Sequence, residues 1–216
     1  MNIDILTFII FIAFLSVIMF LNRKKLHLEK IIHPFLYILM YKTKFGLKFM
    51  DHSAKKFSKF LKYFGFAAIF FGFIGMIFAV YGLARNVYAL WSIPGTAAGI
   101  GLVLPGTKIP GLPYLGFWHW IIAIFILALV HEFSHGILAR LYNIKIKSSG
   151  LAVLGVILPI LPAAFVEPDE KKLLKKKKIE QLSILAAGPF SNLVLAAIIL
   201  LIYLFLITPL IGSMYN

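Results

Sequence analysis

Two histidines and a glutamate stand close together in an otherwise apolar stretch, in the pattern His131-Glu132-x-x-His135. On a helix, side chains four residues apart lie on one face, about 6 Å apart along the axis. That spacing lets both imidazoles bind one zinc ion, and the glutamate between them can act as general base toward an activated water. The pattern therefore predicts zinc-dependent hydrolysis, with Glu132 as the catalytic residue.

The apolar surroundings of this motif strengthen the prediction. Three ionisable side chains inside a hydrophobic segment are costly to bury unless they have a function or a partner. In a purely structural alternative, one histidine bonds to a backbone carbonyl and Glu132 pairs with a lysine. That arrangement leaves three polar groups to satisfy in hydrocarbon, so we favour the zinc site.

A second polar cluster, with Gly188, Pro189 and Asn192, lies in a later apolar stretch. Pro189 removes one helical hydrogen bond and frees a carbonyl, while Gly188 permits close helix approach. If both stretches are helices that cross a membrane, this cluster and the histidines lie at similar depth, roughly 12–18 Å from one surface. Two interpretations stay open: substrate orientation or oxyanion support beside the zinc, or a kinked helix whose Asn192 bonds a neighbouring helix.

The composition places these motifs in a membrane protein. The chain has 216 residues, of which 61% are hydrophobic and 14% charged. A soluble domain is typically about 45–50% apolar and about 25% charged, so disordered and soluble globular classes are excluded. Four apolar runs are long enough to cross a bilayer, at residues 3–21, 64–83, 117–139 and 181–208.

The basic residues predict an orientation. Residues 23–63 hold 11 of the 22 lysines and arginines and residues 140–180 hold nine, whereas residues 84–116 hold two. The positive-inside rule then puts both termini outside the cell membrane and the active site in the cytoplasmic half of the bilayer. Because these loops account for the net charge of +14, we expect a lipid bilayer and no nucleic acid as partner.

Shorter segments do not fit simple crossings. Residues 31–41 are apolar but too short, and residues 55–64 interleave lysine and phenylalanine as in an interfacial helix. Residues 94–115 either cover an entrance or form a packed linker, and we favour the linker. Residues 149–166 are apolar with basic flanks on both sides, which predicts a re-entrant hairpin. We therefore expect an all-α polytopic membrane protein with about four transmembrane helices, an interfacial amphipathic helix, and a re-entrant hairpin or short membrane-associated β-sheet.

The organisation along the chain follows from this division. Residues 1–63 are predicted to form the first transmembrane helix and a basic cytoplasmic or interfacial segment. Residues 64–216 are predicted to form the membrane core that contains both motifs.

The two motifs together resemble the site-2 protease family of intramembrane zinc metalloproteases. The stretch Pro162–Glu170 and the loop Pro105–Pro113 are similar to its archaeal, PDZ-containing branch, and the resemblance covers most of residues 40–205. It implies a zinc endopeptidase that cleaves transmembrane proteins in regulated intramembrane proteolysis. It further implies that His131 and His135 bind Zn²⁺, that Glu132 is the base, and that the hairpin near 149–166 guides the substrate.

The third zinc ligand is the main departure from the family, which takes it from an aspartate in a later membrane helix. Of the acidic residues, only Glu132 lies inside a core crossing; the other seven are Asp4, Glu29, Asp51, Glu167, Asp169, Glu170 and Glu180. We therefore expect this chain to be the N-terminal part of a longer protease and to lack activity by itself. Replacement of the ligand by Glu167 or Asp169 stays open.

Other functions are also compatible with this sequence. One is a membrane zinc peptidase that takes a glutamate from a later helix as third ligand. Another is a non-catalytic membrane scaffold or binding protein for transmembrane helices. The oligomeric state, the substrate and the cleavage site have no signal in the sequence.

Overall fold

The structure is a computed structural model that describes residues 3–23, 26–32, 36–93, 99, 114–156 and 158–214. These residues fold mainly into helices, with one small antiparallel sheet. The helices are α1 (Ile3–Leu21), α2 (Leu47–Lys56), α3 (Ser58–Ser92), α4 (Phe117–Leu141), α5 (Glu170–Leu174), α6 (Lys178–Ile202), which continues through a π-helical turn (Tyr203–Ile207), and α7 (Thr208–Met214). The strands are β1 (Leu26–Ile32), β2 (Leu36–Thr43), β3 (Ile146–Val156) and β4 (Leu158–Pro168).

Three helices in the described part of the chain are long and apolar enough to cross a membrane. They are Ser58–Ser92, Phe117–Leu141 and Lys178–Ile211, and they contain three of the four predicted crossings. The helix α1 is apolar over the shorter stretch Leu6–Leu21. The prediction of a multi-pass membrane protein is therefore confirmed, whereas a count of four crossings stays a prediction.

The predicted interfacial helix over residues 55–64 is wrong in its bounds. The helix α2 ends at Lys56, Phe57 departs from helical geometry with φ −108° and ψ 27°, and α3 begins at Ser58. The amphipathic segment is α2 itself, whose Met50 and Ala54 are buried at helical spacing. The lysines that follow belong to the first turns of the long apolar helix α3, and neither glycine nor proline occurs between Phe57 and Phe64.

Two glycines set the position of α2 against α4. Gly46 precedes α2 in the left-handed region with φ 76°, and a Cβ there would lie 2.7 Å from a ring carbon of Phe133. On α4, a Cβ at Gly136 would lie 2.6 Å from the sulfur of Met50. Glycine at both positions lets the two helices approach this closely.

The small sheet has the strand order β1-β2-β3-β4, with every neighbouring pair antiparallel. The hairpin of β3 and β4 occupies the segment that was predicted to be re-entrant, and it pairs Ser149 with Val166. The strand β2 pairs along its length with β3, from Leu36 opposite Val156 to Thr43 opposite Ser149. The strand β4 therefore forms one edge of the sheet, and it packs against α4.

The hairpin of β1 and β2 was not predicted. The apolar segment at residues 31–41 is too short for a helix that spans a bilayer, but its length suits strands, which typically have about 5–6 residues. Residues 33–35, with the proline that obscured the pattern, lie outside the described residues. Because β2 pairs with β3, the sheet contains strands from both predicted regions, residues 1–63 and residues 64–216. The division of the chain into these two regions stays a prediction.

The C-terminus of α4 is fixed by a Schellman motif. Asn143 adopts a positive φ of 57°, its N–H donates to the carbonyl of Arg140, and the N–H of Ile144 donates to that of Ala139. Ile144 then buries its side chain in a core that includes Leu138. This motif ends the C-terminal half of α4, which carries the two histidines and lies between α2 and α6.

The helices α3 and α6 pack through a glycine and three aromatic rings. A Cβ at Gly65 would lie 3.0 Å from the Cβ of Ser183. About two turns after Ser183 on α6, the ring of Phe190 lies 4.9 Å from that of Phe64 and stacks on that of Phe71 at 5.5 Å. These contacts set the position of α6, which carries the second motif. Most of the predicted linker at 94–115 lies outside the described residues.

Candidate metal centre

The helix α4 brings the two histidines of the first motif side by side. The ring centroids of His131 and His135 are 4.7 Å apart, and the ring planes meet at 74°. Both side chains are half-buried. The arrangement results from one helical turn between the two residues, which places their imidazoles on the same face of α4.

Gly188 of α6 faces the Nε2 atoms of both imidazoles. A Cβ at this position would lie 2.6 Å from Nε2 of His131 and closer still to Nε2 of His135. No side chain larger than hydrogen fits there without displacing the rings. Glycine at position 188 therefore leaves the space into which both nitrogens point.

The other ring nitrogen of His135 is bound by the main chain of α6. Its Nδ1 lies 2.6 Å from the carbonyl oxygen of Ile184. A carbonyl oxygen only accepts hydrogen bonds, so Nδ1 carries the proton and donates it. The lone pair of the neutral ring is then on Nε2, which is the form that binds a metal ion.

Asn192 lies beside the first histidine. Its Nδ2 is 3.3 Å from Nδ1 of His131, while its Oδ1 is buried without a hydrogen-bond partner. Asn192 and Gly188 therefore both reach the histidines from α6, as the similar depths of the two motifs suggested. The partner of Asn192 lies on the neighbouring helix α4, which is the contact of the second interpretation; a role toward substrate stays a prediction.

Pro189 has a smaller role in the geometry than expected. Its side chain is exposed, and α6 continues through it. A proline leaves free the carbonyl four residues earlier, which is that of Leu185. The carbonyl that meets His135 belongs to Ile184 instead, so the proline does not supply the hydrogen bond to the ring.

The side chain of Glu132, on α4, contacts the edge strand β4. Its Oε2 accepts a hydrogen bond of 3.1 Å from the N–H of Val166 on β4. The side chain of Val166 also packs against α4, since a Cβ at Gly136 would lie 3.2 Å from its Cγ1. The carboxylate is therefore held between the helix of the histidines and the outer edge of the sheet.

The acids proposed as replacement ligands do not join the histidines. Glu167 accepts hydrogen bonds from Ser148 at 2.6 Å and from Lys42 at 3.1 Å, and these partners lower the pKa of its carboxyl. Asp169 caps the N-terminus of α5 by accepting the N–H of Lys172. Among the described residues, no three side chains of histidine, aspartate or glutamate form a metal-binding group.

The residues of this centre fit two ligands of a zinc site. The Nε2 atoms of both imidazoles lie within 2.6 Å of one point, the position of a Cβ at residue 188, and glycine keeps that point free of side-chain atoms. Catalytic zinc commonly has three protein ligands with an open fourth position. The described residues supply two of the three.

Sequence reasoning missed two contacts of the centre because both use main-chain atoms. The carbonyl of Ile184 and the N–H of Val166 exist at nearly every position in a chain, so the residue types give no signal. Only the pairing of helix and strand in space identifies them. The β-strand prediction for residues 149–166 was the one indication that an edge could reach the motif.

Part of the chain is similar to known proteins. Residues 119–214, which contain both motifs, match the model of Peptidase family M50. The chain is also 39% identical over 104 residues to an uncharacterised protein of Methanocaldococcus jannaschii; the match covers 48% of this chain and 26% of the relative. The chain thus spans about a quarter of the length of that relative. No solved structure matches the present chain. Residues 119–214 of the chain are thus similar to Peptidase family M50, the site-2 protease family.

Proposed function

We propose that this chain carries the catalytic residues of an intramembrane zinc metalloprotease that cleaves transmembrane proteins. The observation that carries the proposal is the convergence of two Nε2 atoms on the space kept open by Gly188. The match of residues 119–214 to Peptidase family M50 supports a metallopeptidase, and the three apolar helices support chemistry within a membrane. The archaeal relative is uncharacterised and adds no information on substrate.

In this proposal His131 and His135 bind the zinc ion, and the third ligand lies outside the described residues. A zinc ion held there would activate water near neutral pH and polarise the scissile carbonyl. Glu132 would take the proton of the attacking water and return it to the leaving amine. Its contact with Val166 holds the carboxylate on the same side of α4 as the edge strand.

We propose further that the substrate lies along the outer edge of β4. An extended peptide can add to a sheet edge through main-chain hydrogen bonds. The N–H of Val166 points out of this edge toward Glu132, so a strand added here would pass beside the base. A transmembrane helix must unwind locally to present such a segment, because helical carbonyls are already bonded.

The orientation in the membrane belongs to the same proposal. Under the positive-inside rule, the excess of basic residues at 23–63 and 140–180 predicts both termini outside and the histidines in the cytoplasmic half of the bilayer. Proteolysis at that depth would release the cytoplasmic portion of a membrane protein, which is the outcome of regulated intramembrane proteolysis as the resemblance implies.

The experiment compares membrane-protein fragments from cells with the wild-type protein and cells with Glu132→Gln, both in the native membrane. New N-termini are mapped by mass spectrometry. The proposal predicts fragments, cut within or near a transmembrane segment, that appear only with wild type. Identical fragment sets in the two strains would contradict it.

A non-catalytic protein that binds transmembrane helices is the second candidate. The observation in its favour is that no group of three metal ligands forms among the described residues. This function predicts that Glu132→Gln changes no fragment, while removal of the protein alters the abundance of a membrane partner. The same pair of strains, with a deletion strain added, separates the two functions.

A further inference from the structure

The helix α6 meets the two histidines with three residues spaced by four. The carbonyl of Ile184 bonds Nδ1 of His135, Gly188 faces both Nε2 atoms, and Asn192 lies beside Nδ1 of His131. Residues four apart lie on one helical face, so the three contacts come from successive turns. Each Nδ1 atom therefore has its own partner on α6.

The partner of His131 is an amide, and an amide can turn. Oxygen and nitrogen of the Asn192 amide exchange places when the group rotates by half a turn, and both orientations fill the same space. In one orientation Nδ2 donates to a bare Nδ1, and the ring proton is on Nε2. In the other orientation Oδ1 accepts a hydrogen bond from Nδ1–H, and Nε2 is bare.

The state of Nε2 decides between these orientations. The buried position without a partner holds Oδ1 in one orientation and Nδ2 in the other, so it favours neither. With Nδ2 toward the ring, the proton is on Nε2 of His131, in the space that Gly188 keeps open, whereas Nε2 of His135 is bare. Only the turned amide gives the two imidazoles the same tautomer.

We propose that Asn192 is a positioning residue for His131: its Oδ1 accepts Nδ1–H and thereby keeps the lone pair of Nε2 available to the metal. This inference rests on the proposed zinc site. It gives α6 an equivalent function toward both rings, through a main-chain oxygen for His135 and a side-chain oxygen for His131. The freed Nδ2 of Asn192 can donate to a substrate carbonyl, so a substrate contact is compatible with the proposal.

The direct test observes the tautomers without metal. Each imidazole nitrogen has a distinct ¹⁵N resonance according to whether it carries a proton, so histidine-labelled full chain in detergent micelles reports each ring by NMR. We expect Nδ1–H for both His131 and His135 in wild type. In Asn192→Ala, His131 alone should change to a mixture of tautomers, and the unchanged signal of His135 shows that the fold is intact.

Two further variants separate the accepting oxygen from other effects. Asn192→Asp keeps an acceptor of the same shape and should preserve Nδ1–H on His131, although it removes the amide donor. Leu193→Ala, whose side chain is exposed on the next position of α6, is the matched control and should change neither ring. An orienting hydrogen bond to a metal-binding histidine is commonly worth about 10–100-fold in metal affinity. We therefore expect Asn192→Ala to weaken zinc binding by about that factor, and Asn192→Asp to retain it.

The inference is overturned if His131 already carries its proton on Nε2 in wild type, if Asn192→Ala leaves its tautomer unchanged, or if both rings change together in Asn192→Ala. It is equally overturned if Asn192→Asp behaves like Asn192→Ala in the NMR spectrum. Failure of the proposed function has a different signature: zinc does not bind to wild type, while the tautomers still respond to Asn192 as described.

Discussion

The carboxylate of Glu132 accepts the N–H of Val166, at 3.1 Å, and so joins the helix of the two histidines to the edge strand of the sheet. Val166 lies opposite Ser149 of β3, and because its N–H donates to Glu132, that N–H points away from β3. In the proposed function this edge receives the substrate. One hydrogen bond then fixes the position of the base relative to the binding surface.

Replacing Gly188 by alanine should abolish tight zinc binding. The added Cβ would lie 2.6 Å from Nε2 of His131 and nearer to Nε2 of His135, so one ring must leave its position. We expect a loss of at least about 100-fold in zinc affinity, because one of two described ligands is displaced. Zinc titration of the purified chain measures it.

The matched control for this substitution is Gly75→Ala on α3. A Cβ at Gly75 meets no atom within 4 Å, and alanine is the better helix former. The control should bind zinc as wild type does. Equal affinity of Gly188→Ala and Gly75→Ala would show that the metal does not occupy the space at Gly188.

Replacing Glu132 by glutamine should stop cleavage and leave zinc in place. Glutamine keeps an oxygen that can accept the N–H of Val166, so the contact with β4 survives. It cannot take a proton at neutral pH, and loss of a general base commonly costs about 10²–10⁴ in rate. Zinc content and fragment release, measured on the same preparation, check this outcome; loss of zinc together with activity would make Glu132 a ligand.

Replacing Phe190 by leucine should weaken the packing of α6 on α3. The ring loses its contacts with Phe64 at 4.9 Å and Phe71 at 5.5 Å. Two aromatic pairs correspond to about 1–3 kcal/mol beyond the area they bury. Thermal unfolding in micelles should show a lower midpoint, whereas Leu185→Ala, which removes an exposed side chain, should show little change.

Stability of the sheet should depend on pH through Glu167. The hydrogen bonds from Ser148 and Lys42 lower the pKa of this carboxyl in the folded protein. A lowered pKa stabilises the fold at pH above the ordinary carboxyl value, and the stabilisation is lost as pH falls through the lowered value. Because the pair with Lys42 is partly exposed, the contribution is below about 1 kcal/mol.

The variant that tests this dependence is Glu167→Gln, compared with wild type between pH 7 and pH 3. We expect it to be less stable at pH 7 and to converge with wild type in acid. Glu170→Gln, an exposed position on α5, is the control. A difference for Glu167→Gln that grows as pH falls would contradict the assignment.

The sequence identified the parts of this protein whose signal lies in side chains. The pattern of His131 and His135 predicts a shared helical face, and the apolar runs predict the long helices. Gly188 and Asn192 were singled out as a small and a polar residue in an apolar stretch, at the estimated depth of the histidines. Their separate contacts, one with the Nε2 atoms and the other with Nδ1 of His131, follow from the packing of α6 on α4.

Elsewhere tertiary pairing outweighs the local pattern. The strand β2 is apolar on consecutive positions, which does not distinguish a short buried helix from a strand. Its identity is decided by pairing with β3, from Leu36 to Thr43. Similarly, the lysines on both sides of Phe57 continue one helical pattern, while the chain breaks at that residue so that Met50 can pack under α4.

The most direct test of the central claim is X-ray absorption at the zinc edge, on the chain loaded with zinc and on His131→Ala. The proposed centre predicts two imidazole nitrogens at about 2.0–2.1 Å in wild type. In the variant one of these nitrogens should be lost. A wild-type spectrum without imidazole ligands, or a coordination unchanged by His131→Ala, would contradict the assignment of the metal to this pair.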